Sequence, residues 1–321
     1  MGTTQIFRRI GQGTIAPSTV VSIELPKVHY LGALEIHMDA VGDVSSGSLT
    51  VVDSTHGIIP MITSIQLVLD GRTIPLNISG KHLDWWSRVD RPGSERLALS
   101  ATADGGLWDA VLRYELAQSI ANLTGALPLW HYASARLEIT FGAATLAATG
   151  TAVTFTGVVD VYGELYDQNR PVVVDPSVVH TLRSFTADIT SSGEKRIKIP
   201  KGRALERMLV VPENNSAQDW TLLTDVALEC GPGDTTYSFT TPVARARQLR
   251  HYGGDDIPIT GLYIFDFRQA GNRDIVALGD PRVAPEPELV LTVSSDSLTT
   301  AKVHIILEEL EPVGQPVAMA A

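Results

Sequence analysis

The sequence predicts an all-β protein made of two tandem eight-stranded jelly rolls, with short helices in the loops. Three observations lead there. Apolar and polar residues alternate through most of the chain, which is the period of a half-buried strand. Turn signals drawn from 27 Gly and 18 Pro recur along it, as they do in sandwich folds. And one signature, apolar-x-apolar-Pro-Lys, occurs twice: as Ile23, Leu25, Pro26, Lys27 and as Ile197, Ile199, Pro200, Lys201. A signature that returns half a chain later points to two copies of one fold.

Residues 1–17 hold Arg8 and Arg9, three glycines and no acid. They read as a floppy terminus. The functional alternative is an arm, residues 1–18, that sets both arginines against an anionic surface or a neighbouring subunit. Val21, Ile23 and Leu25 alternate, as do Leu34, Ile36 and Met38, so Thr19–Asp39 predicts two strands joined at the Pro-Lys step. Ile65, Leu67 and Leu69 form another strand, closed by an Asp70-Gly71 turn and followed by a strand over Thr73–Ser79. Lys81–Asp90 breaks the alternation and predicts a short helix or an ordered loop. Leu97 and Leu99 mark a short strand, Val111–Gln118 fits strand or helix, and Arg136–Phe141 and Val153–Tyr162 are strands. Asp167–Pro176, with two prolines and alternating charges, predicts a linker.

The order of events then repeats. Pro26 matches Pro200 at an offset of 174, and Thr63–Leu67 matches Thr224–Leu228 at 161. Arg136–Thr140 matches Glu288–Thr292 at 152, and Glu164-Leu165 matches Glu309-Leu310 at 145. A looser match sets Lys81–Asp90 against Val243–His251. Any two β-rich stretches share alternation, so one match carries little. Four in one order, with a shrinking offset, point to duplication with shorter loops in the second copy. Eight antiparallel strands in two Greek keys make a jelly roll, with one face of each sheet in the core. The expected division is an arm (1–18), a first jelly roll (19–166), a linker (167–177), a second jelly roll (178–312) and a tail (313–321).

The chemistry classes thin out quickly. With 36 acidic and 25 basic residues and a net charge of −11, the chain is a poor binder of phosphate backbones, and no sequence-specific nucleic-acid binding is expected. Cys230 is the one cysteine, so no internal disulfide scaffold of the secreted kind can form. It lies on the alternating run Val226, Leu228, Cys230 and reads as a small buried hydrophobe. No signal-peptide core and no membrane-length apolar run is present, so a soluble protein made in the cytoplasm without its own anchor is expected. The eight histidines, His29, His37, His56, His82, His131, His180, His251 and His304, include no two spaced by one or four residues. The cupin and HExxH patterns are therefore absent, and each histidine reads as a surface or packing residue. Tyr252–Asp256, YGGDD, carries the Gly-Asp-Asp of palm polymerases but reads as a turn before a strand over Ile259–Phe267. Gly11-Gln12-Gly13 lacks the third glycine of a dinucleotide loop, and no Gly-x-Ser-x-Gly elbow occurs. Glu308, Glu309 and Glu311 read as a solvated strand end. No catalytic residue, cofactor or metal is expected. Of the tryptophans, Trp85, Trp86, Trp108, Trp130 and Trp220, the adjacent pair Trp85-Trp86 near Arg88 is the most suggestive. Neighbours on one element cannot both face a single core, so Trp85, Trp86 and Arg88 are expected at a subunit interface.

Three stretches carry a family likeness: Ser22–Asp39, SIELPKVHYLGALEIHMD; Ile62–Leu83, ITSIQLVLDGRTIPLNISGKHL; and Ala126–Gly142, ALPLWHYASARLEITFG. Through them the chain resembles the double jelly-roll major capsid proteins of tailless icosahedral phages with an internal membrane. These are the tectivirus, corticovirus and finnlakevirus kind, in the lineage of adenovirus hexon. The resemblance implies a structural virion protein rather than an enzyme. It implies a homotrimer whose six jelly rolls form a pseudo-hexagonal block, and blocks that tile a shell over a lipid vesicle. Penton and minor capsid proteins would be further partners, and the terminal arm would bring Arg8 and Arg9 to the membrane. The modest loops argue against tall towers. Two other readings stand beside it. A two-jelly-roll glycoamidase would use acidic residues at the domain junction, but such enzymes are secreted and disulfide-bearing. A sugar- or receptor-binding spike module would use Trp85-Trp86.

Overall fold

The structure, a computed structural model, describes residues 5–71, 73–90, 98–117, 125–167, 178–201, 203–215, 217–231, 234–244, 262–267, 276–277, 286–294, 298 and 300–312. The chain divides into two compact units. One is Met1–Ser87 with Ser94–His180 and Pro312–Ala321; the other is Arg88–Gly93 with Thr181–Glu311.

The first unit carries β1 (Gln5–Ile15), β2 (Val20–Glu24), β3 (His29–Asp43), β4 (Ile62–Leu69), β5 (Thr73–Ile78), β6 (Gly106–Glu115), β7 (Ala135–Phe141) and β8 (Thr154–Asp167), with helix α1 (Gly80–Asp90) after β5, of which the residues through Ser87 belong to this unit. Two antiparallel sheets result, ordered β1-β8-β3-β6 and β2-β7-β4-β5. The second unit carries β9 (Val178–Ile189), β10 (Gly193–Lys198), β11 (Ala204–Asn214), β12 (Leu223–Gly231), β13 (Asp234–Thr240), β14 (Tyr263–Asp266), β15 (Glu288–Val293) and β16 (Ala301–Pro312). Its sheets are ordered β9-β16-β11-β14 and β10-β15-β12-β13. Adding eight to every label of the first unit reproduces the second. The chain is thus two jelly rolls of one topology, as the repeat predicts.

The period-two pattern explains the packing. Leu34, Ile36 and Met38 of β3 are buried, while Glu35, His37 and Asp39 face outward. Ile65, Leu67 and Leu69 are fully buried, and Leu67 lies opposite Leu137 in the ladder. In the second unit Leu228 lies opposite Leu289, both fully buried. The sequence offsets of 161 and 152 therefore land on the same pair of core partners. A buried leucine contributes on the order of 1.5–3 kcal/mol, so each such pair anchors its own sandwich. The turn after β4 has φ 50° at Asp70 and 66° at Gly71, the left-handed pair that a tight hairpin needs.

The stretch 1–18, expected as an arm, is from Gln5 onward the first strand of the first jelly roll. Gln5–Ile15 pairs with β8 along its length, and the register shifts between Arg9 and Gly11. That bulge, at Ile10, puts Ile6 and Ile15 out of period with each other. The glycines have a packing role. A Cβ on Gly11 would sit 2.2 Å from Ile23 Cγ2, and one on Gly13 would sit 2.2 Å from Val21 Cγ1. Bare backbone lets β1 pass directly over β2. Pro26 accordingly marks the corner between the second and third strands, as Pro200 does between β10 and β11.

Other expectations resolve more simply. Lys81–Asp90 lies in α1, Val111–Glu115 lies in a strand, and Cys230 is buried near the end of β12. A helical turn occupies 241–244, where the second copy of the helix is expected. Leu97, the linker stretch beyond Asp167, the rest of VARARQLRH, the YGGDD segment and the tail lie outside the described residues. Among the described residues no helix is long and apolar enough to cross a membrane.

Candidate functional site

The outward face of the β1-β8-β3-β6 sheet carries a dense set of charged and aromatic side chains. Alternation places Phe7 and Arg9 of β1, Asp160, Tyr162 and Glu164 of β8, Glu35, His37 and Asp39 of β3, and Asp109, Arg113 and Glu115 of β6 on it. Arg113 is its hub. Its guanidinium donates to Glu35 at 3.0 Å, to Glu164 at 2.6 Å, and to Glu115. A planar fork with five N–H groups is the side chain suited to three carboxylates at once. Tyr166 donates to the other oxygen of Glu164, and His37 lies 2.5 Å from Glu35.

Electrostatics follow the geometry. Burial disfavours the charged form of Glu35, but hydrogen bonds and positive charge from His37 and Arg113 outweigh it and hold its carboxyl below the usual range. That stabilisation is present above the ordinary glutamate midpoint and is lost as pH falls through the lowered one. For Arg113 burial also opposes charge, and the surrounding carboxylates more than compensate, so its pKa rises. Farther along the same face Asp39 and Asp109 lie directly opposite each other. Like charges in that position repel, and Asp109 is pushed up by burial first, then by the charge and hydrogen bonding of Asp39. A carboxyl raised in the folded state weakens the fold as pH climbs from its unfolded midpoint through the raised one. Asp109→Asn is therefore expected to raise the Tm at pH 7 and leave it unchanged near pH 3, by calorimetry. A variant less stable than the parent at pH 7 would contradict the repulsion.

Aromatic groups interleave with these charges. Phe7, half exposed, stacks on Tyr162 with centroids 5.4 Å apart, and His37 tilts onto Tyr162 at 4.8 Å. Arg9 bonds Asp160 at 3.1 Å across the two strands. The two arginines singled out in the sequence thus sit on a strand of this sheet, with Arg9 engaged and Arg8 exposed.

At the end of the sheet where β3 begins, Tyr30 meets Trp130 edge to face at 4.3 Å, and Trp130 meets His131 at 5.5 Å. Val28 is 57% exposed beside them in sequence, and Lys27 donates to the Ala133 carbonyl. Gln5 pairs with Tyr166 and Tyr166 with Tyr30, so the start of β1 reaches this same end. Burial pushes the Tyr30 phenol up.

Trp85, Trp86 and Arg88, expected at a subunit interface, are not surface residues. They are 0%, 3% and 8% exposed within the single chain. Helix α1 is covered on almost every side, with only Lys81 and Ser87 partly open among its described side chains. Two adjacent helical positions can then both be buried, which the assumption of a single core-facing side missed.

The second unit has its own hub. On β10, Arg196 donates to Glu229 at 2.6 Å, Glu194 at 2.7 Å and Glu288 at 3.3 Å, and these hydrogen bonds, in that order of weight, raise its pKa. Deeper in, Arg207 donates to Glu308 at 3.0 Å and Arg183 to Glu309 at 2.5 Å. Glu308 and Glu309 are buried, not a solvated strand end, because arginines on neighbouring strands meet them. Sequence spacing gave no sign of this, since the partners lie about a hundred residues apart in the chain. These hubs tie arginines to carboxylates across neighbouring strands.

By sequence the chain matches no family model and no curated protein. By structure it is similar to the STIV MCP, of a Sulfolobus turreted icosahedral virus, with a TM-score of 0.76 at 16% identity over 99% of this chain and 100% of that one. It is also similar to the major capsid protein P2 from bacteriophage PM2, with a TM-score of 0.61 at 12% identity over 97% and 99%. A third likeness is to the PBCV-1 virus capsid, with a TM-score of 0.65 at 11% identity over 97% and 94%. These neighbours are double jelly-roll proteins, and the chain has their fold.

Proposed function

We propose that the chain is a major capsid subunit, a structural protein of an icosahedral virion that works by self-association. One observation carries the reading: both jelly rolls, in one topology, align with major capsid proteins across nearly the full length of each chain. The role is one of assembly rather than catalysis. Its energy would come from apolar and aromatic surface buried between subunits, with charged rims fixing orientation. Weak single contacts suffice when each block makes many at once.

The finer reading is a homotrimer forming a pseudo-hexagonal block in a lattice that also holds penton and minor capsid proteins. We place the β3-entry end of the first unit toward an internal membrane. Lys27, Val28, Tyr30 and Trp130 combine a cation, an exposed apolar group and amphipathic rings, the mixture favoured at a lipid interface. Arg8 lies on the strand that reaches the same end, and a basic residue at an anionic surface is worth about 1 kcal/mol.

The test is the mass and lipid affinity of the purified protein. Light scattering is expected to give three times 34.5 kDa or a larger assembly, and anionic vesicles are expected to float the protein where zwitterionic ones do not. A stable monomer would sink the capsid reading. A trimer that ignores anionic vesicles would sink only the membrane orientation.

A further inference from the structure

Each unit has a sheet that stops at a strand with a ladder on one side only. In the first unit β1 pairs with β8 and with no other strand among the described residues. In the second, β13 pairs with β12 alone and β10 with β15 alone among the described residues. An open edge is a row of unpaired N–H and C=O groups, and a template for a strand of another chain. Proteins blunt such edges with charge, proline or cover. β10, GEKRIK, carries three cations and one carboxylate in its six residues. β2 has β1 lying across it. β13 is undefended: five of the seven residues in DTTYSFT are β-branched or aromatic, and the strand holds no lysine, arginine, proline or glycine.

Two β13 edges could pair only about a two-fold axis, which makes dimers and builds no ring of three. The edge of β1 is a different surface, so a contact between β13 and β1 runs head to tail and leaves each copy one edge to give and one to receive. Charge favours that match. β1 brings Arg8 and Arg9 and no acid. Beside β13, strand β12 turns Asp225 and Glu229 outward, with Asp225 opposite Thr240 in the ladder. Beyond its bulge β1 keeps an unbroken register from Gly11 to Ile15, a straight and uncharged run that a strand of seven residues can follow. We propose that β13 of one copy adds to the open edge of β1 in a second copy and joins two sheets into one across the subunit boundary. The inference rests on the capsid reading, whose trimer needs a head-to-tail contact. Main-chain hydrogen bonds along both edges supply the affinity. The arginines supply the selectivity: they repel a second β1 and are drawn to the carboxylates of β12.

The test is cysteine cross-linking of the full chain. Gln12→Cys or Thr14→Cys on β1 is combined with Ser238→Cys or Thr240→Cys on β13; all four positions are exposed. The one native cysteine, Cys230, is buried and does not compete. Facing positions on paired strands hold their Cβ atoms about 4.5–5.5 Å apart, close to the span that a disulfide bridges. Mild oxidation is expected to link chains into dimers and trimers on a non-reducing gel in at least one of the four combinations. The variants with a single new cysteine are expected to stay unlinked. Ser238→Lys with Thr240→Lys is expected to keep the far-UV circular dichroism of the parent and to give the mass of a monomer by light scattering. A trimeric parent in which no combination cross-links overturns this contact and leaves the capsid reading standing. So does linkage through Ser238→Cys or Thr240→Cys alone, which would place β13 against β13. A parent that stays monomeric overturns the capsid reading and this contact with it. If the double lysine variant fails to fold, the cross-links still decide.

Discussion

Leu228→Asp is expected to leave the second jelly roll unfolded, and Leu67→Asp to do the same to the first. Both leucines are fully buried, each facing a leucine on the next strand. The substitution removes a favourable burial and forces a carboxyl into the gap between two sheets. Together these cost at least about 5 kcal/mol, against a total stability of roughly 5–15 kcal/mol for a domain. The protein should be insoluble, or should show no melting transition for the substituted jelly roll by calorimetry. Leu107→Asp is the control: its side chain is 59% exposed on the outward face of β6, and its effect should stay within about 0.5 kcal/mol. If Leu67→Asp or Leu228→Asp kept the parental melting temperature, the assignment of faces would be wrong.

Arg207→Ala is expected to cost about 3–5 kcal/mol, because it removes a buried guanidinium that donates to the buried Glu308 at 3.0 Å in the interior of the second unit. The informative comparison is the double change. Arg207→Met with Glu308→Leu replaces the pair by apolar groups of similar size, which is often close to neutral. Urea unfolding of the parent, both single variants and the double variant gives the coupling directly. A loss under about 1 kcal/mol for Arg207→Ala would mean that water or another group takes the arginine's place.

The two largest effects fall on residues of different legibility. Leu67 and Leu228 announce themselves through alternation, and the repeat even pairs them with Leu137 and Leu289. Period two is a local property of a strand, so it survives in the linear sequence. Arg207 and Glu308 belong to different strands about a hundred residues apart, and Glu309 looks like part of an acidic strand end until the arginines of neighbouring strands are in place. Arg113 likewise gathers Glu35, Glu115 and Glu164 from three strands. Such hubs are products of sheet order, which spacing does not encode. Trp85 and Trp86 fail for a different reason. The helix rule that separates neighbours by 100° identifies a buried side only when a helix lies on a flat surface, and α1 has cover nearly all round. At Gln5–Ile15 a bulged residue puts Ile6 and Ile15 out of period, and the same-face positions between them are Arg8, Gly11 and Gly13, so no apolar alternation remains to be read; the two glycines are the visible trace of a close strand crossing.

The pairing of β1 with β8 sets a schedule for synthesis. The first strand leaves the ribosome with its partner some 150 residues from being made; Arg9 and Asp160 are 151 apart. At roughly 5–20 residues per second, Gln5–Ile15 spends on the order of ten to thirty seconds without the strand that completes its sheet. During that time it presents an open backbone edge of the kind that recruits foreign strands. Its two arginines and two glycines are poor material for such misjoining, since charge and flexibility both weaken unintended β pairing. A cell making many copies at once would therefore gain from the very composition that hides this strand from pattern reading.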